Sequence, residues 1–416
     1  MNAESELPRR HTDLVVERLQ HLRIVALLGA RQVGKSTLVG QVLRRVGEMN
    51  IANLDDEGVL VAAKSDPTGF LAARGRPLAI DEIQRAPDLL LAMKMVVDHD
   101  RSPGQYLVTG SANLRLLRTL PDSLPGRISY LTLQPFSQGE LGGVRETFVD
   151  RAFENVVAPI FAQPIGRAPY VQRISAGGYP EAHRLPEFLR ESFFRDYLEA
   201  LLDQDLSTIS QVTRSDDVLR VFSLALARTA SLLNSASMGR ELKLDHKTVA
   251  HYLLIAERLH LLTRLPAWSG NLGKRVIRAP KIHAVDSGMV CSILGASPQR
   301  LVEDLDGSLA GPIFETFVVG ELLKQSGWSM SPTRVFHYRD TNGHEVDAVL
   351  ERPSGEIIAC DVKAAATVQR RDFLSLISLR DAIGPRFKFG AILYTGQDSL
   401  PFGDRLWAIP ISALWQ

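Results

Sequence analysis

The sequence predicts a mixed α/β chain built from several modules, and three stretches carry that expectation. Near the start, an apolar run at 24–28 leads through Gly29-Ala30-Arg31-Gln32-Val33-Gly34-Lys35-Ser36-Thr37 into a helical pattern at 38–43. In the middle, apolar residues recur at helical spacing over 149–211 and again over 216–264. Towards the end, residues 343–350 and 357–363 read as two strands of a hairpin joined by Pro353-Ser354-Gly355.

A strand, a glycine-rich turn and a helix start form the order that phosphate binding needs. A turn with little side-chain bulk lets successive N–H groups converge on a polyphosphate, and the helix adds its positive end. The whole run from Gly29 to Thr37 is therefore the candidate ATP cradle. In it Lys35 is placed to reach the β and γ phosphates, and the Ser36 hydroxyl to complete a Mg2+ shell. Downstream, Pro77-Leu78-Ala79-Ile80 runs into Asp81 and Glu82. Asp81 suits a role on magnesium, and Glu82 one in orienting the attacking water. The strand at 105–109 ends in Gly110-Ser111-Ala112-Asn113, where Ser111 or Thr109 is the candidate γ-phosphate sensor and Asn113 a weaker one. Ser111 as the N-cap of a helix at 114–120 is the plainer alternative, and the two are compatible. Arg127 follows a Pro/Gly-framed turn and is suited to reach a neighbouring subunit's γ-phosphate, which would make the chain a homo-oligomer; the alternative is a surface arginine.

At 416 residues, about two or three domains are expected. The balance of 48 basic against 47 acidic residues offers no global attraction for nucleic acid, so any basic surface must be local. Cys291 and Cys360 lack metal-ligand spacing and read as buried small hydrophobes of a reduced compartment. No stretch reads as a signal peptide or membrane span, so a cytoplasmic protein without a membrane partner is expected.

In the middle, the helices around the break Gly177-Gly178-Tyr179-Pro180 suit a lid over nucleotide. Arg195, Asp196, Asp203 and Asp205 on 189–206 read as a solvated face, with Arg195 as a second sensor the weaker alternative. Three helices are expected at 218–232, 238–242 and 246–259, then a hairpin at 261–268. The turn and spacing are those of a helix-turn-helix in a winged helix, with Asp245, His246, Lys247, Thr248 and His251 facing outward. DNA binding and domain packing are nearly balanced readings. The run Lys274-Arg275-Val276-Ile277-Arg278-Ala279-Pro280-Lys281 is the most basic in the chain, and reads as a phosphate-contacting loop or a solvated edge strand.

In the last third, Glu315 lies on an expected helix at 311–323, Asp347 near the start of one strand, and Asp361 with Lys363 on one face of the next. Two carboxylates from neighbouring strands can hold magnesium, and a lysine beside them can position water for attack on a phosphodiester. The plainer alternative is a cross-strand charge pair.

Together, the P-loop at Gly29–Thr37, the Asp81–Gln84 box, Thr109–Ser111, Leu124–Arg127 and Gly177–Glu181 resemble the AAA-type ATPases. They are most similar to a prokaryotic family with a C-terminal domain of unknown function; Pro125 departs from its pattern. The last third resembles the PD-(D/E)XK nuclease fold. That resemblance implies Glu315, Asp347 and Asp361 as metal-binding acids, Lys363 as the catalytic lysine, and the Val362 carbonyl as a further ligand.

The expected architecture is thus an AAA-type P-loop ATPase core at 1–148, a helical lid at 149–215, a winged helix at 216–280 and a restriction-endonuclease-like α/β domain at 281–416. ATP, Mg2+ and DNA are its expected cofactors and partner. The function this implies is an ATPase whose nucleotide cycle is coupled to DNA binding or processing by the nuclease-like domain; a switch that binds DNA without cleaving it, or an ATPase acting on a protein, are the alternatives. A basic face of Lys274, Arg275, Arg278 and Lys281 near Asp347 would favour DNA over a protein partner, and its absence would count against both nucleic-acid readings.

Overall fold

The computed structural model describes residues 6–111, 126–154, 165–209, 215–271, 273, 275, 278–304 and 307–416, the side chains of 202–209 and 215 excepted. Asn113, the helix expected at 114–120, Pro125, Lys274 and the side chains of Asp203 and Asp205 lie outside the described residues. The chain divides into two compact units, Met1–Pro135 with Arg258–His260, and Phe136–Glu257 with Leu261–Gln416.

In the first unit, α1 (His11–His21) leads to β1 (Ile24–Leu28), α2 (Lys35–Val46), β2 (Asn50–Asn53), α3 (Glu57–Ser65) and α4 (Pro67–Arg74). Then come β3 (Leu78–Asp81), α5 (Leu89–His99), β4 (Tyr106–Gly110) and β5 (Ile128–Thr132). The sheet runs in the order β2-β3-β4-β1-β5 with parallel pairings throughout. Every residue of β1 and β4 is buried, as apolar strands covered on both faces require. Because β1, β4 and β3 are parallel neighbours, their C-terminal ends share one edge. There the turn after β1, Asp81 and Thr109 come together.

The second unit opens with α6 (Gln138–Gly142) and α7 (Phe148–Phe153). Ser137 and Glu140 form a reciprocal capping box that starts the first of these as a short helix. After α8 (Arg167–Ala176), Gly178 passes so close to Phe136 that a Cβ there would lie 2.2 Å from its carbonyl oxygen. The Gly178 N–H donates to Asp286 at 2.7 Å. The Gly-Gly-Tyr-Pro break is therefore a close-packed turn, followed by α9 (Pro180–Arg184) and α10 (Glu187–Ile209).

The segment read as a helix-turn-helix contains α11 (Ser215–Ala227), β6 (Ser231–Leu232), α12 (Ser235–Leu242), α13 (His246–Arg258) and β7 (Leu262–Leu265), with β8 (Lys281–Ala284) completing a sheet ordered β6-β8-β7. Two expectations are corrected. The first helix ends at Ala227 rather than 232, because Ala230 at φ 63° turns the chain into β6. And β7 pairs with β8 instead of a local hairpin partner, so Lys281 begins a central strand, not a solvated edge.

Beyond it lie α14 (Ser287–Leu294), α15 (Pro298–Glu303), α16 (Ala310–Trp328), β9 (Arg334–Arg339), β10 (Glu345–Glu351), β11 (Ile357–Lys363), α17 (Leu374–Ile383), β12 (Phe387–Tyr394), β13 (Leu400–Pro401) and β14 (Leu406–Pro410). The six strands form one mixed sheet, β13-β14-β12-β11-β10-β9. The expected hairpin is β10 with β11; β12 and β14 then add in parallel. Register slips between Val346 and Val349 against β9, so a bulge falls at Asp347–Ala348. Among the described residues no helix is long and apolar enough to cross a membrane.

Candidate nucleotide site and C-terminal carboxylate cluster

Two glycines shape the turn after β1. Gly29 sits at φ 156°, and a Cβ there would lie 2.4 Å from the Leu133 carbonyl oxygen. Gly34 adopts φ 92° immediately before α2, a left-handed backbone that costs glycine least. Lys35 is only 4% exposed and folds back, donating to the Gly29 and Ala30 carbonyls at 3.2 and 2.9 Å. Its ammonium stands 3.9 Å from Glu82.

Across the edge, the Ser36 hydroxyl donates to Asp81 at 2.7 Å. Thr109, buried at the end of β4, donates to the other Asp81 oxygen and accepts the Glu82 N–H at 3.0 Å. That bond fixes Glu82 at φ 58°, a left-handed conformation that costs a non-glycine residue about 1–3 kcal/mol. The hydroxyl of Ser36 and the carboxylate of Asp81 are hard oxygen donors, the chemistry that suits magnesium. The Gln84 amide donates both to Glu82 and, at 2.9 Å, to Ser111. Sequence reasoning gave Gln84 no role, although its place in the Asp81–Gln84 box was the available signal.

Arg127 lies away from these groups. Its guanidinium makes a fork with Asp98 of α5, Nε and Nη2 donating at 2.5 and 3.1 Å. The hydrogen bond from Arg127 holds the Asp98 carboxyl below its usual range. Arg195, the weaker sensor candidate, pairs with Glu191 on an exposed face of α10, as the solvated-face reading expects. On α13 and the residue before it, Asp245, His246, Lys247 and His251 are exposed and Thr248 is half-buried.

Among the described residues of the basic run, Arg275, Arg278 and Lys281 do not form one basic face. Arg275 donates in a fork to Glu351 at 2.5 and 2.9 Å and lies over the Trp268 and Phe336 rings. Arg278 donates to the Arg339 carbonyl. Lys281 is 2% exposed, with its ammonium 2.7 Å from Glu315, 2.7 Å from Glu345 and 3.1 Å from Asp347.

That lysine organises the acids. Asp347 uses its second oxygen to accept the Val362 N–H at 2.9 Å and is hydrogen-bonded to Asp361. Burial works to raise the Asp347 carboxyl, but Lys281 and these hydrogen bonds hold it below its usual range. Burial, then the Asp347 charge, pushes both Glu315 and Asp361 well above theirs. Burial would lower the Lys281 ammonium; Asp347 and Glu315 overcome this and keep it protonated. Lys363 is half-exposed at the end of β11, its charge opposing the rise at Asp361. Beside the cluster, burial and then Lys281 hold His283 down at about 3, and burial holds His337 at about 4.

Among the described residues no three His, Cys, Asp or Glu side chains are grouped to hold a metal ion. The expected set does come together, with Glu315 and Asp347 on the Lys281 ammonium and Asp361 hydrogen-bonded to Asp347, and in that arrangement it does not fit magnesium. The sequence places Lys281 in a basic run and carries no signal of its partnership with Glu345.

Three family models match the chain: an AAA domain over residues 21–142, a domain of unknown function (DUF8612) over 167–300, and another (DUF4143) over 310–414. Uncharacterized proteins of Mycobacterium tuberculosis (Rv2008c) and Mycobacterium bovis (Mb2031c) are each 26% identical over 396 residues, spanning 94% of this chain and 81% of theirs. A Walker-type ATPase of Pyrococcus abyssi, PABY2304, is 16% identical, with a TM-score of 0.41 over 70% of this chain and 97% of its own. That last likeness is too loose to carry an argument. The AAA match covers the turn after β1, Asp81, Glu82 and Arg127, so the first unit carries an AAA-type P-loop ATPase domain.

Proposed function

We propose that the protein is a Mg2+-dependent, cytoplasmic, homo-oligomeric ATPase whose nucleotide state switches how its second unit binds DNA, without cutting it. The observation that carries the reading is the chain of hydrogen bonds from Ser36 through Asp81 and Thr109 to Glu82, beside the buried Lys35. Ser36 and Asp81 would hold magnesium, which on binding neutralises phosphate charge. Lys35 would leave the Gly29 and Ala30 carbonyls for the β and γ phosphates, and Glu82 would orient the attacking water. Release of Glu82 from Gln84 is then coupled to the sensor Ser111, because one amide holds both. Arg127, at the surface, would act on a neighbouring subunit once it leaves Asp98.

The helices α12 and α13 with the β6-β8-β7 sheet read as a winged helix, and exposed His246, Lys247 and His251 are its DNA-facing groups. The inward turn of Arg275 and Lys281 removes these two cations from that surface. That inward turn counts against both nucleic-acid readings, so DNA binding rests on the exposed face of α13 alone, and the mixed sheet has the hairpin and preceding helix of the nuclease-like reading. The test measures retention and cutting of labelled single-stranded, duplex and branched DNA with magnesium and ATP, ADP or no nucleotide. Retention that changes several-fold between ATP and ADP, with no cutting, is the expected result. Cutting lost in Asp361→Ala would establish a nuclease instead, and no retention in any state would move the partner to protein.

A further inference from the structure

We propose that the Lys281 ammonium is the resident cation of the cluster formed by Glu315, Glu345, Asp347 and Asp361, and that the second unit therefore takes no divalent metal there. This cluster is separate from the ATP site. An ammonium has three N–H donors, and Lys281 has three carboxylate partners, at 2.7, 2.7 and 3.1 Å. Its donors are thus matched by acceptors.

Backbone geometry fixes both sides of the arrangement. Lys281 opens the central strand β8, held between β6 and β7, so its side chain is anchored at the root and only 2% exposed. The β10 bulge includes Asp347 and Ala348, and one extra residue there can re-aim a side chain. One Asp347 oxygen meets the ammonium and the other caps the Val362 N–H. A hard divalent ion needs about six oxygen ligands, one or two of them from carboxylates free to turn to it, while water supplies others. Here it would have to displace a buried cation bound to three of the acids and then share Asp347 with a backbone donor.

The two kinds of cation also differ in what they can do. A lysine in this position ties β8 to β10 and α16 by charge, but it cannot activate a water as a bound metal does. The cluster is accordingly a fastening between two sheets of the second unit, built on the same acids a nuclease would use for catalysis.

The test is Mn2+ titration of the nucleotide-free full chain, with free Mn2+ followed by electron paramagnetic resonance. Wild type and Asp361→Asn should bind Mn2+ alike. Lys281→Gln should gain a site at least about tenfold tighter than any in wild type, since it removes the competing charge, and Lys281→Gln/Asp361→Asn should lose it. A wild-type Mn2+ site abolished by Asp361→Asn would overturn the proposal, as would a folded Lys281→Gln chain that gains none. If Lys281→Gln does not fold, the comparison of wild type with Asp361→Asn decides alone.

Discussion

Buried imidazoles beside a fixed ammonium make a residue-scale prediction with a definite sign. His337 titrates at about 4 in the fold against 6.5 for the free side chain, because burial disfavours its charged form. Between those values the unfolded chain takes up a proton that the folded chain refuses, so this residue's contribution to stability is present above about pH 6.5 and falls away as pH drops towards 4. Near pH 5 the loss from His337 amounts to about 2 kcal/mol. Denaturant unfolding of wild type and His337→Gln at about pH 7 and pH 5 checks this: the variant should show the smaller drop on acidification. An equal drop in both would mean His337 is charged in the fold. The same scale shows what the sequence could display. Lys35, Ser36, Asp81, Glu82 and Ser111 were legible because strand ends and a glycine turn fix their place along the chain. Asp98 as the partner of Arg127, and Lys281 among the acids, depend on side-chain directions that linear order does not encode.

At the scale of elements, the turn that carries Gly177 and Gly178 shows how a motif can serve packing. Asp286 is buried and accepts from the Gly178 and Met289 N–H groups, joining the turn to the N-terminus of α14. Asp286→Ala would leave two buried donors unmatched and remove a cap, a loss of about 2–4 kcal/mol. A fall in the denaturation midpoint with unchanged slope is the expected result; an unchanged midpoint would contradict this role. The expected elements fared unevenly for a similar reason. Parallel strands buried on both faces are apolar runs that announce themselves, and β1, β3 and β4 fell where expected. The end of α11 and the partner of β7 were misplaced because a left-handed Ala230 and a strand arriving from residue 281 lie outside any local window.

For the whole molecule, the order of motifs made the AAA-type domain and the α/β character of the last third legible before any coordinates. The division into two compact units was less so, since helical periodicity at 149–264 gives no sign of which residues pack into one core. The central claim is that ATP is hydrolysed at the edge where β1, β3 and β4 end, with Arg127 acting from a second copy. The most direct test is phosphate release from Mg2+-ATP by wild type, Lys35→Ala, Arg127→Ala and an equal mixture of the two variants. Each variant alone should lose at least about a hundredfold in turnover. The mixture should recover part of it, because it pairs an intact Lys35 in one subunit with an intact Arg127 in another. Wild-type turnover in Lys35→Ala would contradict the assignment of the site, and full turnover in Arg127→Ala would contradict action between subunits.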